Sequence, residues 1–108
     1  MLDFSAYNIR KVEVKINEKE LNILPPKLNQ VDKINEFAKK FRTKGVSTQE
    51  MADTAVIVLN RNDKSERFEA AFVEELEYDI VYSIIFDYIA WVNEIHKNPN
   101  SDSPSVEQ

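Results

Sequence analysis

The stretch YDIVYSIIFDYIAWV, residues 78–92, sets the strongest constraint on how this chain folds. Twelve of its fifteen residues are apolar or aromatic, and the three polar ones, Asp79, Ser83 and Asp87, recur every four residues. This spacing predicts a helix, over about residues 79–97, with one narrow polar stripe. Because nearly every other side is apolar, the helix must be covered on two flanks. The cover comes either from the rest of the chain or, on one flank, from a partner.

The same helix supplies the candidate partner-binding residues. It holds five of the chain's eleven aromatic residues. Tyr and Trp combine a large apolar area with a polar group, which favours them at interfaces. A domain of 108 residues also has a limited core. We therefore predict that a partner covers one flank, and the residues expected to contact it are Tyr78, Tyr82, Phe86, Ile89 and Trp91.

Two amphipathic helices are predicted upstream. Apolar residues recur every three to four positions over about residues 28–43, the pattern of one buried helix stripe. This helix is expected to end before Gly45, the single glycine, since glycine is common just past a helix C-terminus. Ser47, followed three residues later by Glu50, forms a capping box and predicts a second helix over about residues 47–60.

A third helix is predicted over about residues 65–76, just before the last one. Phe68, Phe72 and Leu76 are spaced strictly four residues apart, which is typical of one helix face. Ser65 is the predicted N-cap, since a serine hydroxyl accepts a hydrogen bond from an N–H group of the first turn.

The N-terminal part of the chain predicts a β-hairpin over about residues 10–24. In residues 11–16 apolar and charged side chains alternate, which is the pattern of a strand with one buried face. The alternation resumes after a polar stretch that begins at Asn17, a residue that tolerates positive φ. Pro25-Pro26 then ends the sheet. Since an isolated hairpin is marginally stable in water, its apolar face must pack on helices or on strands of another chain.

Together these elements define an α+β fold, mainly α, in which an N-terminal β-hairpin is followed by three or four helices. Residues 1–97 are predicted to form a single globular domain, which is a common domain size. Residues 98–108 are polar and rich in turn-forming residues, so we predict a disordered C-terminal tail.

The composition excludes several kinds of chemistry. The absence of cysteine excludes disulfides, thiolate catalysis and sulfur-based zinc sites, and a single glycine excludes glycine-rich phosphate loops. His96 is the only histidine, and a histidine near a helix C-terminus is best interpreted as a surface residue favoured by the helix dipole. Because no set of catalytic side chains is recognisable, we expect no enzyme activity, no cofactor and no metal.

No secretory or membrane segment is predicted. The N-terminus lacks a basic region followed by an apolar run. The most apolar stretch, residues 80–92, contains Asp87 and is too short to span a bilayer. We therefore expect a soluble protein with no membrane partner.

The net charge of −5 is distributed unevenly. Residues 1–64 carry 12 Lys and Arg against 9 Asp and Glu, a net of +3, whereas residues 65–108 carry 2 against 10, a net of −8. An acidic chain is a poor nonspecific ligand for nucleic acid. One basic cluster could still contact phosphate, although basic residues in the last turn of a helix also oppose its dipole. The cluster consists of Lys39, Lys40, Arg42 and Lys44.

The order of these features resembles a known family. A hairpin segment VEVKINEKEL, residues 12–21, leads into Pro25-Pro26-Lys27 and an amphipathic helix. Further helices follow, with a late YIAWV at residues 88–92 and a polar tail that begins Asn98-Pro99-Asn100. Over about residues 10–100 the chain resembles the small tail assembly chaperones of long-tailed, siphovirus-type phages and prophages of Gram-positive bacteria.

The resemblance implies a noncatalytic function in the host bacterial cytoplasm. Such chaperones bind the tape-measure protein, keep its long apolar helices from aggregating and help to recruit tail-tube subunits. The expected partners are therefore the tape-measure protein, with the major tail protein as a further candidate and a homo-oligomer as the working form. Two alternatives stay open: a structural head–tail connector or completion protein, and a small nucleic-acid-binding regulator that uses Lys39, Lys40, Arg42 and Lys44.

Overall fold

A computed structural model describes residues 10–97, so the predicted disordered tail and residues 1–9 lie outside the described part of the chain. A two-stranded antiparallel hairpin is followed by four helices. This confirms the predicted α+β, mainly α, fold class. The elements are β1 Val12–Ile16, β2 Lys19–Ile23, α1 Leu28–Thr43, α2 Thr48–Leu59, α3 Ala70–Glu74 and α4 Tyr78–Lys97.

The hairpin has the predicted position and a two-residue loop. Its register places Ile16 opposite Lys19, and Asn17 in the loop has a φ of +55°, which asparagine tolerates better than most residues. The apolar face of the hairpin is directed into the chain's own core, where Leu21 and Ile23 are buried. The helices of the same chain therefore supply the cover that a hairpin needs.

The end of α1 and the start of α2 lie where the sequence predicts them. The bounds of α1 coincide with the prediction, and Gly45, with a φ of +82°, donates its N–H to the Lys40 carbonyl at 2.8 Å. At the start of α2 the Glu50 N–H donates to Ser47 Oγ at 3.1 Å, and the Ser47 N–H donates to Glu50 Oε1 at 2.8 Å. The predicted capping box is confirmed, with α2 beginning one residue after Ser47.

The third predicted helix, residues 65–76, is wrong over its first half, since α3 begins only at Ala70. Ser65 is not an N-cap: it has a φ of +57° in an irregular segment. The cause is competition for backbone hydrogen bonds from two asparagines. Asn60 Oδ1 accepts from the Phe68 N–H at 2.7 Å, and Asn60 Nδ2 donates to the Phe68 carbonyl at 3.1 Å. Asn62 binds the N–H and the carbonyl of Glu66 in the same way.

The core lies where α2 packs against α4 and the hairpin. The longest buried stretch belongs to α2, which contributes Met51, Ala52, Ala55, Val58 and Leu59. From α4, the side chains that reach the core are Val81, Ile85, Tyr88 and Ile95. These residues are separated by four, three and seven positions, which places them on one face of α4. The remaining apolar side chains of this helix lie on its two flanks.

α4 starts at Tyr78, one residue before the predicted start, and Asp79 lies in its first turn, where a carboxylate opposes the positive end of the helix dipole. Within residues 10–97, no helix combines the length and apolar character that crossing a membrane requires.

Candidate partner-binding surface

One flank of α4 carries a ladder of aromatic rings. The ring centroids of Tyr82 and Phe86 are 4.6 Å apart, and Phe41 of α1 lies 4.9 Å from Phe86 and 5.8 Å from Tyr82. Tyr78 extends the ladder by one turn, at 6.4 Å from Tyr82. The spacing of four residues along α4 stacks these rings on one side of the helix. We refer to Phe41, Tyr78, Tyr82 and Phe86 as the aromatic face.

The aromatic face is anchored at one end and open at the other. Phe86 is half-buried and contacts the buried ring of Phe37 at 6.0 Å. Tyr82 is 41% exposed and Tyr78 is 56% exposed, although both belong to an otherwise apolar helix. Large aromatic side chains with this exposure, held on a rigid helix, are typical of protein contact surfaces.

The five predicted contact residues do not form one surface. Tyr78, Tyr82 and Phe86 lie together on the aromatic face. Ile89, one turn further along, lines a small cleft of about 80 Å³ beside α1. Trp91 is half-buried against Tyr88, with ring centroids 5.9 Å apart, and its position along the helix places it on the opposite flank.

That opposite flank faces the hairpin across a groove of about 550 Å³. One wall consists of β1 with Val12 and Val14, and the other consists of α4 with Ile80 and Ile84. The polar stripe of α4 lies along the same wall, as Asp79, Ser83 and Asp87. Sequence reasoning did not predict this groove. Two features of the sequence indicate it: β1 has one apolar face, and the predicted sheet has no third strand beside the hairpin.

Tyr88 is an anchor of the fold rather than a contact residue. Its hydroxyl donates a hydrogen bond to the Leu24 carbonyl at 2.8 Å, which ties α4 to the end of the hairpin. Burial raises the pKa of Tyr88 well above its usual range, and the nearby charge of Arg61 opposes this effect. The hydroxyl therefore remains a hydrogen-bond donor even in alkaline solution.

The basic cluster at the end of α1 is partly neutralised within the chain. Lys40 Nζ lies 2.6 Å from Glu50 Oε2, and Arg42 Nη1 donates to the Ala38 carbonyl at 3.3 Å. Lys40 and Arg42 stand in the last turn of α1, where a positive charge opposes the helix dipole. Both observations favour the interpretation that these side chains stabilise the end of α1 over the interpretation that they contact phosphate.

Glu50 makes folding sensitive to acid. The hydrogen bond from Lys40, followed by the Ser47 N–H, lowers the pKa of Glu50 from 4.5 to about 2. A carboxyl whose pKa falls on folding stabilises the folded state above its unfolded pKa, and that contribution is lost as the pH drops through the folded value. The Glu50 contribution is therefore fully present above pH 4.5 and disappears as the pH approaches 2.

We expect a Glu50→Gln variant to be less stable than the parent chain at neutral pH, and the difference to close below pH 4.5. Urea unfolding at a series of pH values measures this difference. Glu18→Gln, in the exposed hairpin loop, is the matched control. A gap between Glu50→Gln and the parent that is independent of pH contradicts the role of the Glu50 carboxylate.

The described side chains offer no metal centre. Within the part of the chain that the structure describes, no three His, Cys, Asp or Glu side chains lie close enough to bind an ion together. One acidic residue of the second half, Glu66, instead pairs with a lysine of the hairpin, with Lys19 Nζ and Glu66 Oε2 2.8 Å apart.

Comparison of the chain with protein-family models, with curated proteins and with solved structures found no match. Function is therefore inferred from the chain's own residues. These define a small, mainly helical α+β protein whose most distinctive surface is apolar and aromatic.

Proposed function

We propose that the protein is a noncatalytic assembly chaperone that uses its aromatic face to hold apolar helices of a partner. The observation that carries this proposal is the exposure of Tyr78 and Tyr82, at 56% and 41%, on a helix whose other large side chains are mostly covered. The partner that fits best is the tape-measure protein of a siphovirus-type phage, which the resemblance to tail assembly chaperones implies.

The chemistry of this surface suits an amphipathic helix. Such a helix places apolar side chains into a hydrophobic surface at positions three, four and seven residues apart. The rings of Tyr78 and Tyr82 are one helical turn apart, which matches that spacing. The phenol groups keep a polar edge at the rim, so the surface tolerates water when no partner is bound. A chaperone needs both properties because its partner must eventually be released.

The proposal places the protein in the host bacterial cytoplasm, where tails assemble, with the major tail protein as a further partner. A structural head–tail connector would instead stay in the virion. Mass spectrometry of purified phage particles separates the two functions, because the chaperone is expected to be absent from them and the connector to be present.

The direct functional prediction concerns the exposed tyrosines. We expect co-expression with the tape-measure protein to keep that protein soluble, and a Tyr78→Asp/Tyr82→Asp double variant to lose this effect. Burying a carboxylate at each ring position removes apolar contact and adds a desolvation cost, so the affinity should fall by about a hundredfold or more, as for hot-spot residues. The soluble fraction of the tape-measure protein on co-expression is the readout.

The control has to replace an exposed apolar side chain with a carboxylate at a site outside the aromatic face. Leu28→Asp does this, since Leu28 is 89% exposed at the start of α1, far along that helix from Phe41. Leu28→Asp should retain full solubilising activity, and circular dichroism should show that all variants are folded. No solubilisation by the parent chain, or equal activity of the folded double variant, would contradict the proposal.

A further inference from the structure

The two edges of the hairpin differ in how they are covered. The outer edge of β2 is paired with the segment after α2: the Leu24 N–H donates to the Arg61 carbonyl at 2.7 Å, and the Asp63 N–H donates to the Asn22 carbonyl at 3.0 Å. β1 has no strand on its outer edge among residues 10–97. An uncovered edge strand is a template for pairing with another chain.

The pairing also shows which groups β1 presents at that edge. The Asn22 carbonyl faces away from β1, and Glu13 lies directly opposite Asn22. These two residues therefore form a pair without mutual hydrogen bonds, so the N–H and carbonyl of Glu13 also face away from the hairpin. Lys15, two residues on, has the same orientation. The free edge offers the backbone groups of Glu13 and Lys15.

We propose that β1 pairs in antiparallel register with β1 of a second copy of this chain, around a two-fold axis at Val14. In that register Glu13 lies opposite Lys15 of the second copy, and Lys15 lies opposite Glu13. Both members of each pair direct their backbone groups at one another, as a hydrogen-bonded antiparallel pair requires. The interface is the same surface on both copies, which is the commonest form of a homodimer.

The side chains of β1 are complementary to themselves in this register. On the exposed face, each opposed pair joins a carboxylate to an ammonium group, and opposite charges directly across an antiparallel pair are stabilising. Lys15 already faces Glu20 of β2 within its own hairpin. In the dimer Lys15 therefore lies between two carboxylates, those of Glu20 and of Glu13 in the second copy. A two-fold axis at Glu13 or at Lys15 would instead place that residue opposite its own copy, so that like charges would face each other.

The apolar face agrees with the same register. Val14 meets Val14 of the second copy, and Val12 meets Ile16, all on the side that faces the helices. Val12 and Val14 are only half-buried in the single chain, and they border the groove of about 550 Å³ beside α4. A strand added to β1 extends the sheet over this groove and covers Ile80, which is 44% exposed. An apolar helix in the groove would leave the edge N–H and carbonyl groups unpaired.

The dimer does not rest on the chaperone function, because it leaves the aromatic face open. Sedimentation equilibrium tests it directly. The parent chain should sediment as a dimer of about 25 kDa at micromolar concentration, twice the chain mass of 12.6 kDa. Tyr78→Asp/Tyr82→Asp should dimerise like the parent, so a failure of the chaperone proposal stays distinguishable from a failure of this one.

A charge swap tests the register. Glu13→Lys creates two opposed lysine pairs and Lys15→Glu creates two opposed glutamate pairs, so each should weaken dimerisation by about tenfold or more. The Glu13→Lys/Lys15→Glu double variant restores two opposite-charge pairs and should recover most of the loss. The contact between residue 15 and Glu20 is the same in Lys15→Glu and in the double variant, so recovery can come only from the second copy.

Glu74→Lys is the control: Glu74 is exposed on α3, and the substitution changes the charge as Glu13→Lys does. This variant should leave the dimer intact. A parent chain that stays monomeric overturns the proposal, including the case in which residues 1–9 occupy the edge of β1. A double variant that dimerises no better than Lys15→Glu, with which it shares the contact between residue 15 and Glu20, overturns the register. A dimer that survives Glu13→Lys and Lys15→Glu but is lost on Tyr78→Asp/Tyr82→Asp would place the interface on the aromatic face instead.

Discussion

An Asn62→Ala variant is expected to lose about 3 kcal/mol of the free energy of unfolding, since buried backbone groups left without partners cost about 1–3 kcal/mol each. Asn62 is buried and satisfies four backbone groups. Its Nδ2 donates to the carbonyls of Leu59 at 2.7 Å and Glu66 at 2.8 Å, and its Oδ1 accepts from the N–H groups of Lys64 at 3.0 Å and Glu66 at 2.9 Å. Alanine keeps none of these hydrogen bonds.

The effect should extend to the hairpin, because Asn62 also forms a backbone bridge with Ile23 of β2. Urea unfolding monitored by circular dichroism measures the loss. Asn29→Ala, an exposed change on α1, is the matched control and should stay within about 0.5 kcal/mol of the parent. If the two variants are equally stable, Asn62 does not hold the segment between α2 and α3.

The second large effect is expected at Ile85, which is fully buried on the core face of α4. Ile85→Ala should lower the free energy of unfolding by about 3–4 kcal/mol, because it removes buried apolar contact and leaves a cavity. The same change at Ile80, which lies on the groove side of the helix, should cost about 1 kcal/mol or less in the monomer. Chemical denaturation of both variants, at concentrations where each is monomeric, gives the comparison.

The contrast between these two isoleucines measures how α4 is rotated about its axis. Both belong to the same apolar stretch, and they differ only in the face they occupy. Similar losses at the two positions, or a larger loss at Ile80, would mean that the core face of α4 is assigned incorrectly.

The sequence predicted the local parts of this fold well. The alternation in β1, the 3.6-residue period of α1 and the capping box at Ser47 depend on neighbouring residues alone, and all three match the structure. Asn17 also occupies the left-handed conformation that suits it to a tight turn. Each of these features is stabilised by contacts within a few residues, so each is encoded where it occurs.

The third helix shows where local patterns fail. The four-residue spacing of Phe68 and Phe72 is real, and their rings lie 5.1 Å apart, but only Phe72 is helical. Asn60, eight residues before Phe68, binds both of its backbone groups and replaces the helical hydrogen bonds there. Asparagine in a turn was predictable, whereas its hydrogen bonds to a segment further along the chain were not.

The candidate site was predictable in composition but not in arrangement. The sequence indicated that α4 carries the contact residues, and three of the five lie together on the aromatic face. It did not indicate that Trp91 packs against Tyr88 on the other flank, or that α1 contributes Phe41. When a helix is apolar on nearly every side, its rotation is set by the shapes of the elements that cover it. That information is spread over the whole fold.

Hydroxyl-radical footprinting of the chain, alone and in complex with the tape-measure protein, tests whether the aromatic face binds the partner. Tyr78 and Tyr82 are reactive and exposed, and Leu28, at 89% exposure, is an internal reference far from the aromatic face. We expect strong protection of both tyrosines in the complex and unchanged labelling of Leu28. A stable complex in which Tyr78 and Tyr82 are labelled as in the free chain, or the absence of any complex, would contradict it.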